Sequence, residues 1–244
     1  MARDVMEPLI RKLQSIGELS GAERDALAGL PAQVRHLATG EDVVREGDRP
    51  SVCCVLLEGF VHRYRVLPDG GRQVMAIHTP GDVPDLQSLF LRRLDHSIAA
   101  VVPSVVATIP HGAMRALMRE RPSVADLFWR DTLIDAAIFR AWIECMGRRS
   151  ARSHLAHLLC EVFTRLRAVG LTQGASCSLP FTQAELGDAL GLSMVHVNRT
   201  LQDLRAEGLI ELGQGRLTIP DWARLKGFAQ FDPAYLHLRH PEAA

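Results

Sequence analysis

The sequence predicts an α+β fold in which an N-terminal β-roll of the jelly-roll type, a long helix and a C-terminal winged helix–turn–helix follow one another. Three observations predict it. Short segments rich in valine and isoleucine fill residues 34–109, a helical stretch of more than twenty residues without a breaker follows, and two capped helices and a hairpin lie near the C-terminus. We place the domains at residues 1–120, 121–147 and 148–244.

Composition and local charge argue against export and membrane insertion. The 28 Lys and Arg residues balance the 28 Asp and Glu residues, so the net charge by itself requires no polyanionic partner. Charges interrupt the N-terminus where an export signal needs an apolar core, and the charge-free stretch 97–110 is too short to span a bilayer as a helix. We therefore expect a cytoplasmic protein that has no membrane partner.

The first domain has the pattern of a β-sandwich or jelly-roll. The strand-like segments are DVVREGD, VCCVLLEGFVHRYRV, RQVMAIH and HSIAAVVPSVVATIP. Glycines such as Gly59 and the Gly70–Gly71 pair separate them, and LPDGGRQV predicts a hairpin turn. Several short strands without a long helix between them indicate a β-roll.

The connecting stretch predicts one long helix that takes part in dimerisation. Pro122 suits the first turn of a helix, and SVADLFWRDTLIDAAIFRAWIECM follows without a breaker. Its apolar arc is too wide for one partner, so we expect it to pack on the β-domain and on its own copy; a helix that packs only on its own domain is the alternative. The expected dimer contacts are Leu127, Ile134, Ile138, Ala141 and Cys145.

The second domain begins near the polar junction GRRSARS, residues 147–153, and carries the most informative motif of the chain. Thr182 and Glu185 form a predicted capping box at the start of one helix, Gly191 permits a tight turn, and Ser193 caps the next helix. The segment LIELGQGRLTIP then predicts a small hairpin. Helix, glycine turn, capped helix and hairpin together indicate a winged helix–turn–helix.

The second helix of this motif has two chemically different faces. Val197, Leu201 and Leu204 recur at helical spacing and form a face that can be buried. The other face carries hydrogen-bonding groups that suit the edges of bases in a DNA major groove. A solvated face in a winged-helix module that does not bind DNA is the alternative. The expected DNA contacts are Thr182, Ser193, Val195, His196, Asn198, Arg199, Gln202 and Arg216.

Nearly the whole chain resembles the family of the cyclic-AMP receptor protein and the fumarate–nitrate reductase regulator, which are bacterial transcription factors. GEDVVREGD, LLEGFVHRYRVLPDGGRQV and HTPGDV resemble its cyclic-nucleotide-binding-like sensor domain, residues 122–146 its dimer helix, and residues 182–219 its DNA-binding motif. The resemblance implies a homodimer on a two-fold symmetric DNA site, with a signal in the β-roll that moves the DNA-binding domains. We also expect RNA polymerase as a partner.

The chain departs from the family where cyclic nucleotides are bound. Members that bind cyclic nucleotides hold the phosphate with a Gly–Glu pair and an Arg followed by Ser or Thr. The equivalents here are Gly81–Asp82 and His96–Ser97, so the guanidinium is missing. We expect these four residues to line an effector pocket for an unidentified small molecule or redox signal other than cyclic AMP.

The sequence supports no cofactor, metal site or enzyme. The first 52 residues lack the cysteines that ligate the cluster in the iron–sulfur members. Haem binding is not excluded, because the sensor domain contains three possible axial ligands, His78, His96 and His111. His154 and His157 share a helix but lack a third metal ligand.

The odd number of cysteines and the absence of a C-x-x-C pair indicate mostly buried thiols, and redox sensing through Cys145 or Cys160 stays open. No nucleophile–base constellation is visible, so we expect no catalytic residues. The alternative function is a β-roll signalling module that binds a small ligand or haem and acts through protein contacts.

The recognition helix also departs from the family. Members commonly place a Glu four residues before the recognition Arg, where this chain has Val195. Because valine offers only methyl groups, we expect weak discrimination at the facing base pair, whereas Arg199 can pair with guanine O6 and N7.

Overall fold

Two antiparallel β-sheets build the N-terminal domain in the computed structural model, which describes residues 5–239. One sheet has the order β1-β7-β3 and the other β2-β6-β4-β5. The strands are β1 (Gln33–Leu37), β2 (Asp42–Val44), β3 (Val52–Glu58), β4 (Val61–Val66), β5 (Arg72–His78), β6 (Ser97–Ala100) and β7 (Ser104–Pro110). The predicted β-roll is confirmed.

The core of this domain lies between the two sheets. Leu56 of β3 and Val106 of β7 come from the first sheet, and Val61 of β4 and Ile98 of β6 come from the second. All four side chains are fully buried. Apolar side chains of both sheets therefore meet in one core, as in a β-sandwich.

Short helical segments flank the β-sheets. They are α1 (Glu7–Ile16), α2 (Gly21–Ala28), a 3-10 turn (Leu86–Leu89) and α3 (His111–Glu120). Lys12 of α1 makes ion pairs with Asp82 (3.1 Å) and with Asp131 (3.3 Å), and all three side chains are largely buried. These pairs fix the position of α1 beside the loop that follows β5.

The long helix, α4, runs without interruption over Pro122–Arg148. Its proline occupies the first position, where the missing N–H removes no helical hydrogen bond. The helix that the sequence predicts near residues 122–146 is present and extends two residues further, to Arg148.

By internal contacts, the chain divides into two compact units. One contains the residues up to Arg65 together with Met75–Asp135, and the other contains Val66–Val74 together with the residues from Ala136 onward. The turn of the β4–β5 hairpin is therefore grouped with the C-terminal unit.

The C-terminal unit holds the winged motif. Its elements are α5 (Ala151–Ala168), β8 (Thr172–Gln173), β9 (Ser176–Ser178), α6 (Gln183–Leu190), α7 (Met194–Ala206), β10 (Glu211–Gly213), β11 (Arg216–Thr218), α8 (Trp222–Ala229) and a 3-10 turn (Pro233–Leu236). The strands form one antiparallel sheet of order β10-β11-β9-β8. The sequence pattern predicts the helix–turn–helix and its hairpin, but it predicts neither α8 nor the 3-10 turn after it.

A buried carboxylate holds three parts of this unit together. Glu161 of α5 is fully buried and accepts hydrogen bonds from Trp142 Nε1 (3.1 Å) and from the Tyr235 hydroxyl (2.7 Å). Burial raises the pKa of Glu161, and the positive charge of the nearby Arg165 offsets part of this increase. The network joins the end of α4 and the last 3-10 turn to α5.

Candidate nucleic-acid interface

Helix α6 begins with the predicted capping box. Glu185 N–H donates to Thr182 Oγ1 (3.2 Å), and Thr182 N–H donates to Glu185 Oε2 (2.8 Å). Gly191 ends the helix with φ +66°, a left-handed conformation that favours glycine. The local spacing therefore predicted both ends of α6 correctly, because each end depends on residues within one turn.

The turn between α6 and α7 depends on Gly187, a position that the sequence analysis did not single out. Leu192 N–H donates to the Gly187 carbonyl (3.0 Å). A Cβ atom at position 187 would lie only 2.6 Å from the Leu192 carbonyl oxygen. The close approach of the turn backbone to α6 therefore requires glycine at this position.

Helix α7 buries the face that the pattern predicted. Val197, Leu201 and Leu204 are at most 2% exposed, and Thr200 lies with them, its hydroxyl donating to the His196 carbonyl (2.8 Å). Ser193 caps the helix by accepting from His196 N–H (3.3 Å). The apolar stripe thus sets the rotation of α7 about its axis.

The opposite face of α7 is open at its N-terminal end. Val195 is 75% exposed and Met194 57%, and Arg199 and Gln202 are exposed as well. His196 and the remaining predicted contact, Asn198, are half-buried. Within residues 5–239 Arg199 makes no ion pair or hydrogen bond, so its guanidinium is available. The sequence pattern did not single out Met194, which a helical wheel places beside Asn198 at the edge of this face.

The hairpin beside α7 is held by two arginines. Arg205 of α7 donates to the Leu212 carbonyl (2.7 Å), and Arg216 of β11 donates to Gln173 Oε1 (2.5 Å). Arg216 is exposed, as its predicted role requires, but its guanidinium already has a partner on the neighbouring hairpin.

The four predicted effector residues have separate partners in the sensor domain. A Cβ atom at Gly81 would lie 2.4 Å from the Pro8 carbonyl oxygen of α1, and Asp82 is held by Lys12 and by Thr79 N–H (2.8 Å). Ser97 Oγ accepts from Glu46 N–H (2.9 Å). The pair Gly81–Asp82 therefore faces the N-terminal helix.

His96 lies in a polar environment that contains an arginine from elsewhere in the chain. Gln87 Nε2 donates to His96 Nε2 (2.9 Å), and His96 Nδ1 donates to Asp95 (2.8 Å). Burial lowers the pKa of His96, and the charge of Arg63 lowers it further. Arg63 is a buried cation, already bonded to Asp135 (2.9 Å) and to the Pro84 carbonyl (2.7 Å).

Among the histidines considered for haem or metal, His78, His111 and His157 lie close to polar protein groups. His78 Nδ1 lies 3.7 Å from Asp82, and His111 Nε2 lies 2.9 Å from Ser88 Oγ. His157 Nε2 lies 3.1 Å from the Tyr235 hydroxyl, and burial lowers the pKa of both His154 and His157 to about 4. Among the described residues, no group of three or more His, Cys, Asp or Glu could hold a metal ion.

All five cysteines are buried free thiols, as the sequence predicted. Burial raises the pKa of Cys145 to about 11 and that of Cys160 to about 12. The reactive thiolate is therefore scarce at neutral pH, which argues against redox sensing at these two positions. No helix within residues 5–239 is long and apolar enough to cross a membrane.

The predicted dimer contacts lie on a side of α4 that the single chain largely covers. Leu127, Ile134, Ile138 and Cys145 are at most 8% exposed in the single chain, and Ala141 is half-buried. These side chains are already covered without a second copy. A different set of apolar side chains lies on the exposed side of α4. Because both sides of the helix are apolar, the sequence pattern does not distinguish the covered set from the exposed set.

Two family models match the chain. The cyclic nucleotide-binding domain matches residues 34–121, and the Crp-like helix-turn-helix domain matches residues 153–228. The first match covers the β-sheets with α3, and the second runs from α5 into α8.

Whole-chain relatives cover both domains. The nitrogen fixation regulation protein FixK of Bradyrhizobium diazoefficiens is 30% identical over 90% of this chain and 91% of its own length. The transcriptional activator protein FnrL of Cereibacter sphaeroides is 26% identical over 78% of each chain.

Solved structures share the fold. FixK2 from Bradyrhizobium japonicum has a TM-score of 0.74 at 24% identity and covers 82% of this chain and 98% of its own. A CooA mutant from Carboxydothermus hydrogenoformans has a TM-score of 0.65 at 18% identity, over 91% of this chain and 95% of its own.

We predict that Gly187→Ala opens the turn between α6 and α7. The added Cβ meets the backbone oxygen of Leu192, so one helix must shift, at a cost of about 2 kcal/mol or more. Hydrogen exchange at the Leu192 amide measures this opening. Gly227→Ala is the matched control, since a Cβ there meets no atom within 4 Å. Equal exchange of the Leu192 amide in wild type and Gly187→Ala contradicts the prediction.

Proposed function

We propose that this chain, which belongs to the CRP/FNR family of DNA-binding transcription regulators, binds a two-fold symmetric DNA site as a homodimer. The observation that carries the proposal is the exposed face of α7, where Val195, Arg199 and Gln202 project from a helix whose other face is buried. A helix held in this way can enter a major groove and present these side chains to base edges.

An exposed apolar seam on α4 supports the homodimer. Trp129 and Ile143 are each 65% exposed and Leu133 is 51% exposed, although all three are large apolar side chains. With Ala136 they occupy positions spaced four, three and seven residues apart, which is the repeat of a coiled-coil seam. Two copies packed through this seam would bury it and would present two α7 helices related by a two-fold axis.

Arg199 and Val195 have different proposed roles in reading bases. The unpaired Arg199 guanidinium is suited to bond guanine O6 and N7 together. Val195 and Met194 offer apolar contact, which suits a thymine methyl group. His196, Asn198 and Gln202 are proposed to add contacts to the same half-site, and half-sites are expected about one helical turn apart.

Thr182, Ser193 and Arg216 are proposed to contact the DNA backbone rather than the bases. Thr182 and Ser193 stand at helix N-termini, where backbone N–H groups and the helix dipole favour a phosphate. Arg216 stands on the hairpin beside α7. These contacts fix the register of the protein on the duplex and carry no sequence information.

We further propose that the β-roll responds to a signal other than cyclic AMP. His96 stands where the family's phosphate-binding Arg is expected, and burial keeps its imidazole neutral near pH 7 by lowering its pKa. Arg63, the buried cation nearby, is neutralised by Asp135 (2.9 Å). A phosphate would have to displace that carboxylate. Contact with RNA polymerase stays a prediction.

Disrupting the α4 seam is expected to give monomers. Leu133→Asp combined with Ile143→Asp places four carboxylates in the proposed interface of a dimer, where they would be desolvated without partners. Sedimentation should show the monomer mass, and affinity for a two-half-site duplex should fall at least about tenfold because the second half-site is no longer tethered. Leu91→Asp combined with Leu171→Asp is the control, since both leucines are exposed and lie outside α4. If the double α4 variant stays dimeric, the exposed seam of α4 is not the dimer interface.

Base reading is tested by selection from random DNA. Arg199→Ala should lose preference for one guanine in each half-site, a loss of about 1–3 kcal/mol, while the protein stays dimeric. Val195→Glu should create a preference for cytosine at the facing base pair, because the new carboxylate can accept from cytosine N4. If Arg199→Ala selects the same guanine as wild type, the reading residues are assigned incorrectly.

Calorimetry with cyclic AMP tests the proposed signal. We expect no binding heat from wild type at millimolar nucleotide, because His96 stands where the family has its phosphate-binding Arg and the nearby Arg63 is already paired with Asp135. His96→Arg is the matched variant, since it restores the family residue and should increase nucleotide affinity. Micromolar binding by wild type that also strengthens DNA binding would contradict the proposal.

A further inference from the structure

The turn of the β4–β5 hairpin makes a specific contact with the helix that precedes the recognition helix. Arg72 Nε donates to Asp188 Oδ2 (2.7 Å), and Gln73 Nε2 donates to the Asp188 backbone carbonyl (2.8 Å). Residues 66–74 and the helix–turn–helix belong to the same compact unit. Two neighbouring side chains of one hairpin therefore hold both the carboxylate and the carbonyl of a single α6 residue.

The contact stabilises the C-terminal end of α6 because of where Asp188 lies in the helix. Asp188 lies in the last turn of the helix, where the dipole disfavours negative charge, and α6 has no basic residue in that turn. Arg72 supplies the missing cation. Gln73 bonds a carbonyl that has no helical N–H partner at the end of the helix. Both members of the ion pair are about one-third exposed, so water screens the attraction only in part.

Asp188 is also next to the constraint that sets α7. The carbonyl of the preceding residue, Gly187, accepts the Leu192 N–H, and the missing side chain of Gly187 lets the turn backbone approach α6 closely. A contact that holds Asp188 therefore limits movement of the turn from which the recognition helix starts.

We infer that Arg72 and Gln73 are positioning residues for DNA recognition, which act by holding the end of α6 and so the recognition helix in its reading position. The inference rests on the proposed function. Neither side chain reads a base; each acts through Asp188. Arg72 and Gln73 lie outside the helix–turn–helix motif itself, so they offer a point at which DNA affinity can be changed without altering any base-contacting residue.

A double-mutant cycle on DNA binding tests the inference. The proteins are wild type, Arg72→Ala, Asp188→Asn and the double variant, all full-length, and the probes are the selected duplex and a scrambled duplex of the same length. Each single variant should lose about fivefold or more in affinity for the selected duplex, and the double variant should lose no more than Arg72→Ala. Affinity for the scrambled duplex and the thermal unfolding midpoint should stay unchanged.

Asp188→Asn separates positioning from direct phosphate binding by Arg72. If Arg72 bound a phosphate, Asp188→Asn would preserve or strengthen DNA binding, and Arg72→Ala would lower the slope of log affinity against log salt by about 0.9. Positioning predicts weaker specific binding in both variants with an unchanged slope. Arg65→Ala is the control, because Arg65 lies on the same hairpin but pairs with Glu46 (2.9 Å).

Three further outcomes of these measurements would contradict the inference, and one of them would also contradict the proposed function. Wild-type affinity in both single variants overturns the inference and leaves the proposed function intact. Equal losses on both duplexes, with a lower unfolding midpoint, show a merely structural contact and overturn it as well. A wild-type protein that does not distinguish the selected from the scrambled duplex overturns the proposed function, and this inference with it.

Discussion

The proposed DNA-reading surface depends on one backbone contact that leaves no room for a side chain. At Gly187 the end of α6 approaches the Leu192 carbonyl so closely that only a hydrogen atom fits. This approach lets Leu192 N–H bond the Gly187 carbonyl and starts α7 at Ser193. The buried stripe of Val197, Leu201 and Leu204 then sets the rotation of α7, so its polar face follows from packing on the other side.

The two apolar faces of the long helix differ in how far the chain itself covers them. Ile134 and Ile138 lie on a face that the chain itself covers, whereas Trp129 and Ile143 lie on an open face. Both faces are apolar, and periodicity alone does not distinguish them. Only the tertiary structure shows which face lacks a partner, and the exposed face has the heptad spacing that a second helix needs.

Local signals in the sequence predicted local structure well. The Thr182–Glu185 capping box, the left-handed Gly191 and the Ser193 cap each depend on residues within about one turn, and all are present. Contacts between distant parts of the chain could not be predicted in this way. Arg63 and His96 are thirty-three positions apart in the sequence, and Asp188 is more than a hundred positions from Arg72. No spacing rule connects such pairs, since the fold alone brings them together.

The central claim is that the exposed face of α7 reads guanine in the major groove, once in each half-site. Methylation of guanine N7 blocks that edge of the base without changing base pairing, so methylation interference on a selected duplex measures it directly. The account predicts interference at one guanine in each half-site, the two positions being related by the dyad and about one helical turn apart. Strong binding that N7 methylation leaves unaffected would contradict it.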